Sequence, residues 1–180
     1  LTADGRRRKG EQRRRLLLDA TMRVIERAGV AAVSQRVVAQ EAGVPPSAVT
    51  YYFPAVDDLL VAALAACNDD YVRQLDTCAR DAEPLVALAG VIAQGSDARR
   101  AYVAAEYELW LIAARRPALW PEVERWNTAL DTFLAPHVPD PVARTGVAAA
   151  VDGLLMRCFS SPAPPSAAEV HEVLRRLVRP

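Results

Sequence analysis

Ser34-Gln-Arg-Val-Val-Ala-Gln-Glu-Ala-Gly43-Val-Pro-Pro-Ser-Ala-Val-Thr-Tyr-Tyr-Phe53 is the stretch on which the reading of the whole chain turns. Ser34 is a good N-cap, since its hydroxyl can accept from a first-turn backbone N–H. Val37, Val38, Glu41 and Ala42 follow at helical spacing, and Gly43 closes the segment. Pro46 opens a second short helix at a position where its missing N–H costs little, and Pro54 ends it. Two short helices that cross steeply need a turn residue tolerating positive φ and close approach, and Gly43 sits at that turn. Val49 and Phe53, four apart, are expected to face a small core with Val38 and Ala42. The opposite face then presents Pro46, Ser47, Thr50 and Tyr51. Small and hydroxyl-bearing side chains at the front of such a helix let its backbone approach base edges, and hydroxyls and phenols can hold phosphates. Tyr51 and Tyr52 also admit a plain packing role.

Outward from this stretch the pattern stays helical. No segment alternates apolar and polar residues over a strand's length, and no Asn-Gly or Asp-Gly hairpin turn occurs. Leu17, Thr21, Val24 and Ala28 form one stripe of a first helix, with Gly29 as its C-cap. A long fourth helix is predicted from about Val56 to Arg80, burying Leu60, Leu64, Cys67, Tyr71, Leu75 and Cys78. Further helices are expected over 84–93, from the Gly95-Ser96-Asp97 turn to Arg115-Arg116, over 121–135, over 142–159, and after a Ser166 cap. The fold class is all-α with about nine helices.

Charge balances only in total. The 180 residues carry 22 basic and 22 acidic side chains, but residues 1–53 hold ten basic against five acidic and the remainder twelve against seventeen. The densest cluster is Arg6, Arg7, Arg8 and Lys9, followed by Arg13, Arg14 and Arg15. It reads as a basic arm ahead of the groove-reading pair, or as a solvated helix start or a disordered tail. Mean hydropathy is +0.03, far from the disordered corner. The longest nearly apolar run, Leu85 to Ala93, is too short for a bilayer, and no charged–apolar–small-residue signal peptide opens the chain, so an intracellular location is expected. Three cysteines without a C-x-x-C pair argue against a disulfide framework or zinc module, and no cofactor or metal is expected. Two histidines, and no G-x-S-x-G, H-E-x-x-H or P-loop, make a poor catalytic inventory.

From about Arg13 to Leu64 the chain resembles the DNA-binding domain of the TetR (tetracycline-repressor-like) family of bacterial transcriptional regulators. The resemblance is carried by Ala20, Val24, Gly29, Ser34, Arg36, Val37-Val38-Ala39, Glu41-Ala42-Gly43-Val44, Tyr51-Tyr52-Phe53 and Leu59. It departs at Pro45, where a capping Ser or Thr is usual, at Ser47 for Gly, at Thr50 for the first aromatic, and at Val56 for a frequent Lys. The resemblance implies a helix-turn-helix DNA-binding domain over 1–54 and a helical effector-binding and dimerisation domain over 55–180. It also implies a repressor that binds a palindromic operator as a homodimer and is released by a small molecule. The alternative is a helical adaptor whose basic arm binds acidic protein. Residues expected on DNA are Arg13, Ser34, Arg36, Pro46, Ser47, Thr50, Tyr51 and Tyr52.

The remaining helices carry two further expectations. Polar groups caught in apolar stripes need partners, either each other or a ligand. Glu106 lies with Tyr102, Leu109 and Trp110. Asn127 lies with Trp120, Val123 and Leu130, and Asp152 with Leu155 and Phe159. With the pocket that the resemblance implies among the fourth to eighth helices, the candidate effector contacts are Cys67, Tyr71, Tyr102, Glu106, Trp110, Trp126, Asn127, Asp152 and Met156. Gly146, Ala149, Ala150 and Gly153 form a small-residue strip that lets another helix come close. Extended by Leu154, Val170, Val173, Leu174 and Leu177, it is the expected homodimer surface, or else an internal packing strip.

Overall fold

A computed structural model describes residues 3–96 and 99–178, without the side chains of Ala3, Asp4 and Arg6. Among the described residues there are nine α-helices, a few short 3-10 turns and no strand. In chain order these are α1 (Ala3–Ala28), α2 (Gln35–Ala42), α3 (Pro46–Tyr52), α4 (Val56–Ala79), α5 (Pro84–Ala93), α6 (Arg100–Ile112), α7 (Trp120–Leu134), α8 (Pro141–Ser160) and α9 (Ala167–Val178). They divide into two compact units, Leu1–Ala66 with Ala105–Trp120 and Cys67–Ala104 with Pro121–Pro180. No single described helix is long and apolar enough to cross a membrane.

The first unit is built on α1. Leu17, Ala20, Thr21 and Val24 are fully buried, and the Thr21 hydroxyl is satisfied by donating to the Leu17 carbonyl at 2.8 Å. Ala28, placed on that stripe by spacing, is exposed. The basic cluster is not an arm preceding the helix, because α1 starts at Ala3 and carries the cluster on its first turns. Arg, Lys, Gln and Glu are strong helix formers, Arg7 and Glu11 pair at 3.7 Å one turn apart, and no proline interrupts them.

The turn chemistry of the helix pair follows from its residues. Ser34 Oγ accepts from the Val37 N–H at 3.2 Å. Gly43 takes φ 64° and ψ 38°, and the Val44 N–H returns to the Ala39 carbonyl at 3.0 Å. That left-handed cap is one that glycine adopts without a Cβ penalty. Val49 and Phe53 are buried with Val38, whereas Ala42 is only half-buried. The Gln35 amide donates to the Phe53 and Pro54 carbonyls at 2.7 Å each, tying the end of α3 to the start of α2.

In the second unit α5 packs along α9 and against α8, burying Leu88, Ala89 and Ile92 with Val170 and Leu174. Asp140 caps α8 through the Ala143 N–H at 2.7 Å. At the start of α9 the Ser166 N–H donates to Glu169 Oε2 at 2.8 Å, and the Glu169 N–H to Ser166 Oγ at 3.3 Å. This reciprocal box is the cap expected of Ser166. The Asp97 cap expected for α6 lies outside the described residues. The α-helical part of α6 stops at Ile112 rather than at Arg115-Arg116, because Pro117 pushes Arg116 to φ −136° and ψ 88° and the last turn tightens to 3-10 geometry.

Candidate functional site

The outer side of the short helix pair carries the side chains expected to meet a duplex. Pro46, Ser47, Thr50 and Arg36 are exposed, and Tyr51 is 80% exposed. The Thr50 hydroxyl donates to the Pro46 carbonyl at 3.2 Å and keeps lone pairs for an outside donor. Ser34 is half-buried and one lone pair of its hydroxyl is taken by the cap, which leaves its hydrogen and the second lone pair to offer. The two tyrosines separate. Their rings meet edge-on at 5.0 Å, but Tyr52 is half-buried and its hydroxyl lies 3.8 Å from where a Cβ on Gly10 would stand. Tyr52 therefore leans on α1, and Tyr51 projects.

Local electrostatics select among the basic residues. Arg23 and Arg27 pair with Glu41 at 2.8 Å and 2.9 Å, and their hydrogen bonds hold its carboxyl below the usual range. Arg14 lies 5.3 Å over the Phe53 ring and so is engaged with the head core. Arg13, Arg15 and Arg36 are exposed and form no ion pair among the described residues, which leaves their charge for an external anion.

In the second unit, Cys67 and Tyr71 of α4 are buried, and Tyr71 stacks on Trp126 of α7 at 4.0 Å and 6°. The Tyr102 hydroxyl donates toward Cys67 Sγ at 3.6 Å, and Asp152 on α8 is half-buried. Two residues expected here lie elsewhere. Asn127 is exposed because the buried stripe of α7 runs through Trp126, Leu130, Phe133 and Leu134, one position out of phase with it. Met156 is 43% exposed on the outer side of α8. Glu106, buried, and Trp110, half-buried, belong to the first unit. The Trp110 indole N–H is enclosed without an acceptor among the described residues.

Sequence reasoning missed Asn68, which is fully buried. Its amide N–H₂ donates to the Glu122 carbonyl and to Glu122 Oε2, both at 2.8 Å, so its Oδ1 must face the other way, enclosed and without a donor among the described residues. The signal was available, since Asn68 stands four residues after Leu64 and three before Tyr71 on the buried stripe. Burial pushes the Cys78 and Cys158 thiols up, away from reactive thiolate.

The small-residue strip divides as well. Gly146, Ala149 and Gly153 are exposed and Ala150 half-buried, and Val142 and Met156 of α8 and Val173 and Leu177 of α9 are exposed as well. Leu154 is 7% exposed, and Val170 and Leu174 are fully buried. Val170 and Leu174 face inward because α9 must bury one apolar stripe to pack at all, and Leu154 is buried on α8, so all three are corrected from partner contacts to core.

Comparison with known proteins identifies the family. Residues 17–63 match the bacterial regulatory proteins, tetR family, and residues 79–180 match the tetracyclin repressor-like, C-terminal domain. The HTH-type transcriptional regulator BetI of Paraburkholderia phytofirmans is 29% identical over 159 residues, covering 82% of each chain. The HTH-type nicotine-responsive transcriptional repressor HdnoR of Paenarthrobacter nicotinovorans is 28% identical, covering 85% of this chain and 87% of its own. Among solved structures, the multidrug binding protein EbrR complexed with ethidium superposes with a TM-score of 0.77 at 36% identity, over 92% of this chain and 97% of that one. The chain belongs to the tetracycline-repressor-like (TetR) family of bacterial helix-turn-helix transcriptional regulators.

Proposed function

We propose that this regulator is a cytoplasmic repressor that binds a palindromic operator as a homodimer and leaves it when a small molecule binds. The observation that carries the DNA half is the division of α3: Val49 and Phe53 are buried while Ser47, Thr50 and Tyr51 are exposed. That leaves a short helix free to enter a major groove with Arg36 and Arg13 toward the phosphates. Residues 1–54 would read DNA, and 55–180 would sense and dimerise.

For dimerisation, the exposed Gly146, Ala149, Gly153 and Met156 of α8, with Val173 and Leu177 of α9, supply an apolar surface that a second copy would bury. For sensing, the Tyr71–Trp126 stack, Tyr102 and the half-buried Asp152 support an effector site, and the enclosed Oδ1 of Asn68 adds an acceptor that a ligand N–H would satisfy. Relatives whose names describe nicotine response and ethidium binding favour a flat, nitrogen-bearing effector. Release requires that the effector bind the DNA-free arrangement more tightly than the DNA-bound one.

The test is selection of an operator from random duplexes followed by fluorescence anisotropy with and without ethidium. The expected result is a palindromic site and a weakening of about 5–150-fold when ethidium is present, the ordinary range of coupling. Failure to enrich any site would overturn the regulator's DNA half. An enriched site insensitive to ethidium would overturn the effector class.

A further inference from the structure

Val30 opens the 3-10 turn (Val30–Ala32) that joins α1 to α2, and its N–H is one of the orphan donors a helix start must satisfy. Gly29 before it has no side chain to cap with and holds φ +78°. The acceptor comes from Glu108 on α6, whose Oε1 lies 2.7 Å from the Val30 nitrogen across 78 residues of sequence. The fit is close, since a Cβ on Gly29 would stand 3.1 Å from that same oxygen. Further along the chain Arg116 pairs with Asp57 in the first turn of α4. Within the first unit, then, α6 and the turn after it hold the reading head at two places: the joint before α2 and the helix that follows α3.

We propose that Glu108 is a positioning residue for operator binding, its carboxylate fixing the α1–α2 joint to α6 and so setting the angle at which the head is presented. This rests on the dimeric operator reading above. Two heads on a palindrome must meet half-sites about 34–36 Å apart per turn of 10–10.5 base pairs. One base pair more or less moves a half-site by about 3.4 Å and rotates it by about 34°. A head held at the joint cannot follow that displacement, whereas a released head can.

The experiment measures binding of the full chain to the selected operator and to versions with one central base pair inserted or removed. Wild type is expected to lose about tenfold in affinity for either change, the size of one wrong base pair. E108A is expected to lose about threefold or less, with the salt slope unchanged because the phosphate contacts are the same. E108Q, whose amide oxygen still accepts from Val30, keeps the wild-type discrimination. E108D retains the charge but is one methylene short, and it should side with E108A, which covers the case of E108A failing to fold. Amide exchange at Val30 should quicken in E108A and E108D but not in E108Q. Wild-type discrimination in both E108A and E108D would overturn the proposal. If wild type itself ignores spacing, the palindromic-dimer reading fails instead, and Val30 exchange decides the role of Glu108: unchanged protection in E108D overturns it.

Discussion

Arg36 and Ser47 are both exposed on the reading head, yet they should fail in different ways when replaced. An arginine on phosphate contributes counterion release and no sequence information, whereas a side chain at the base edges contributes the reverse. Arg36→Ala should weaken binding to every duplex and flatten the plot of log K against log salt by about 0.9 per subunit. Ser47→Ala or Thr50→Val should leave that slope alone and change which sites are enriched from a random pool. Anisotropy across a salt series separates the two, and the opposite pattern would remove the groove assignment. The glycines offer a second contrast. Gly43→Ala adds a methyl group into open space at φ 64°, so only the backbone cost of about 1 kcal/mol applies, seen as a Tm loss of about 2–4 °C. Gly29→Ala meets a larger backbone cost, because φ 78° with ψ 167° is a conformation essentially reserved for glycine, and it crowds Glu108 as well, so thermal melts should show the larger loss. None of this crowding was legible in sequence, where Gly29 reads simply as a C-cap.

Among the elements, α9 carries the clearest pH dependence. Hydrogen bonds from Arg175 and then Arg176, at 2.8 Å and 2.7 Å, hold the Glu172 carboxyl down to about 2 from an ordinary 4.5. A folded-state pKa below the unfolded one means stabilisation that is complete above about pH 4.5 and lost as the pH falls toward 2. Wild type should therefore exceed Glu172→Gln in Tm at pH 6 by a small margin, since the pairs are exposed, and the margin should vanish near pH 2. Calorimetry across that range checks the sign. Helix existence was legible at this scale because apolar residues recur at the helical period and because Ser34, Gly43, Pro46 and Ser166 mark ends chemically. Where ends depend on competition, legibility fell: the start of α1 is set by helix formers outlasting two glycines, and the end of α6 by what Pro117 does to Arg116.

For the whole molecule, the exposed strip on α8 predicts how binding depends on assembly. Gly153 is exposed where a second helix would approach closely, and Gly153→Arg places a charge and a long side chain there. Sedimentation should show a monomer with unchanged helicity, and affinity for the full palindrome should fall about 10²-fold or more as the avidity of two linked heads disappears. Affinity for an isolated half-site should stay the same. A dimer that survives this substitution would move the interface away from α8.

The order of residues was enough to specify the set of helices, the helix-turn-helix with its inward Val49 and Phe53, and the family. Each is local: period, capping chemistry and turn residues act over a few positions and can be read along the chain. Which way a stripe faces, and which distant groups meet, was settled by packing. Val170 and Leu174 turn inward because α5 is there to receive them, and Asn127 turns outward because Trp126 takes the buried position beside Tyr71. Asn68 with Glu122, and Val30 with Glu108, are pairs 54 and 78 residues apart. No periodicity connects such positions, because burial of a polar group depends on whichever partner the fold carries to it.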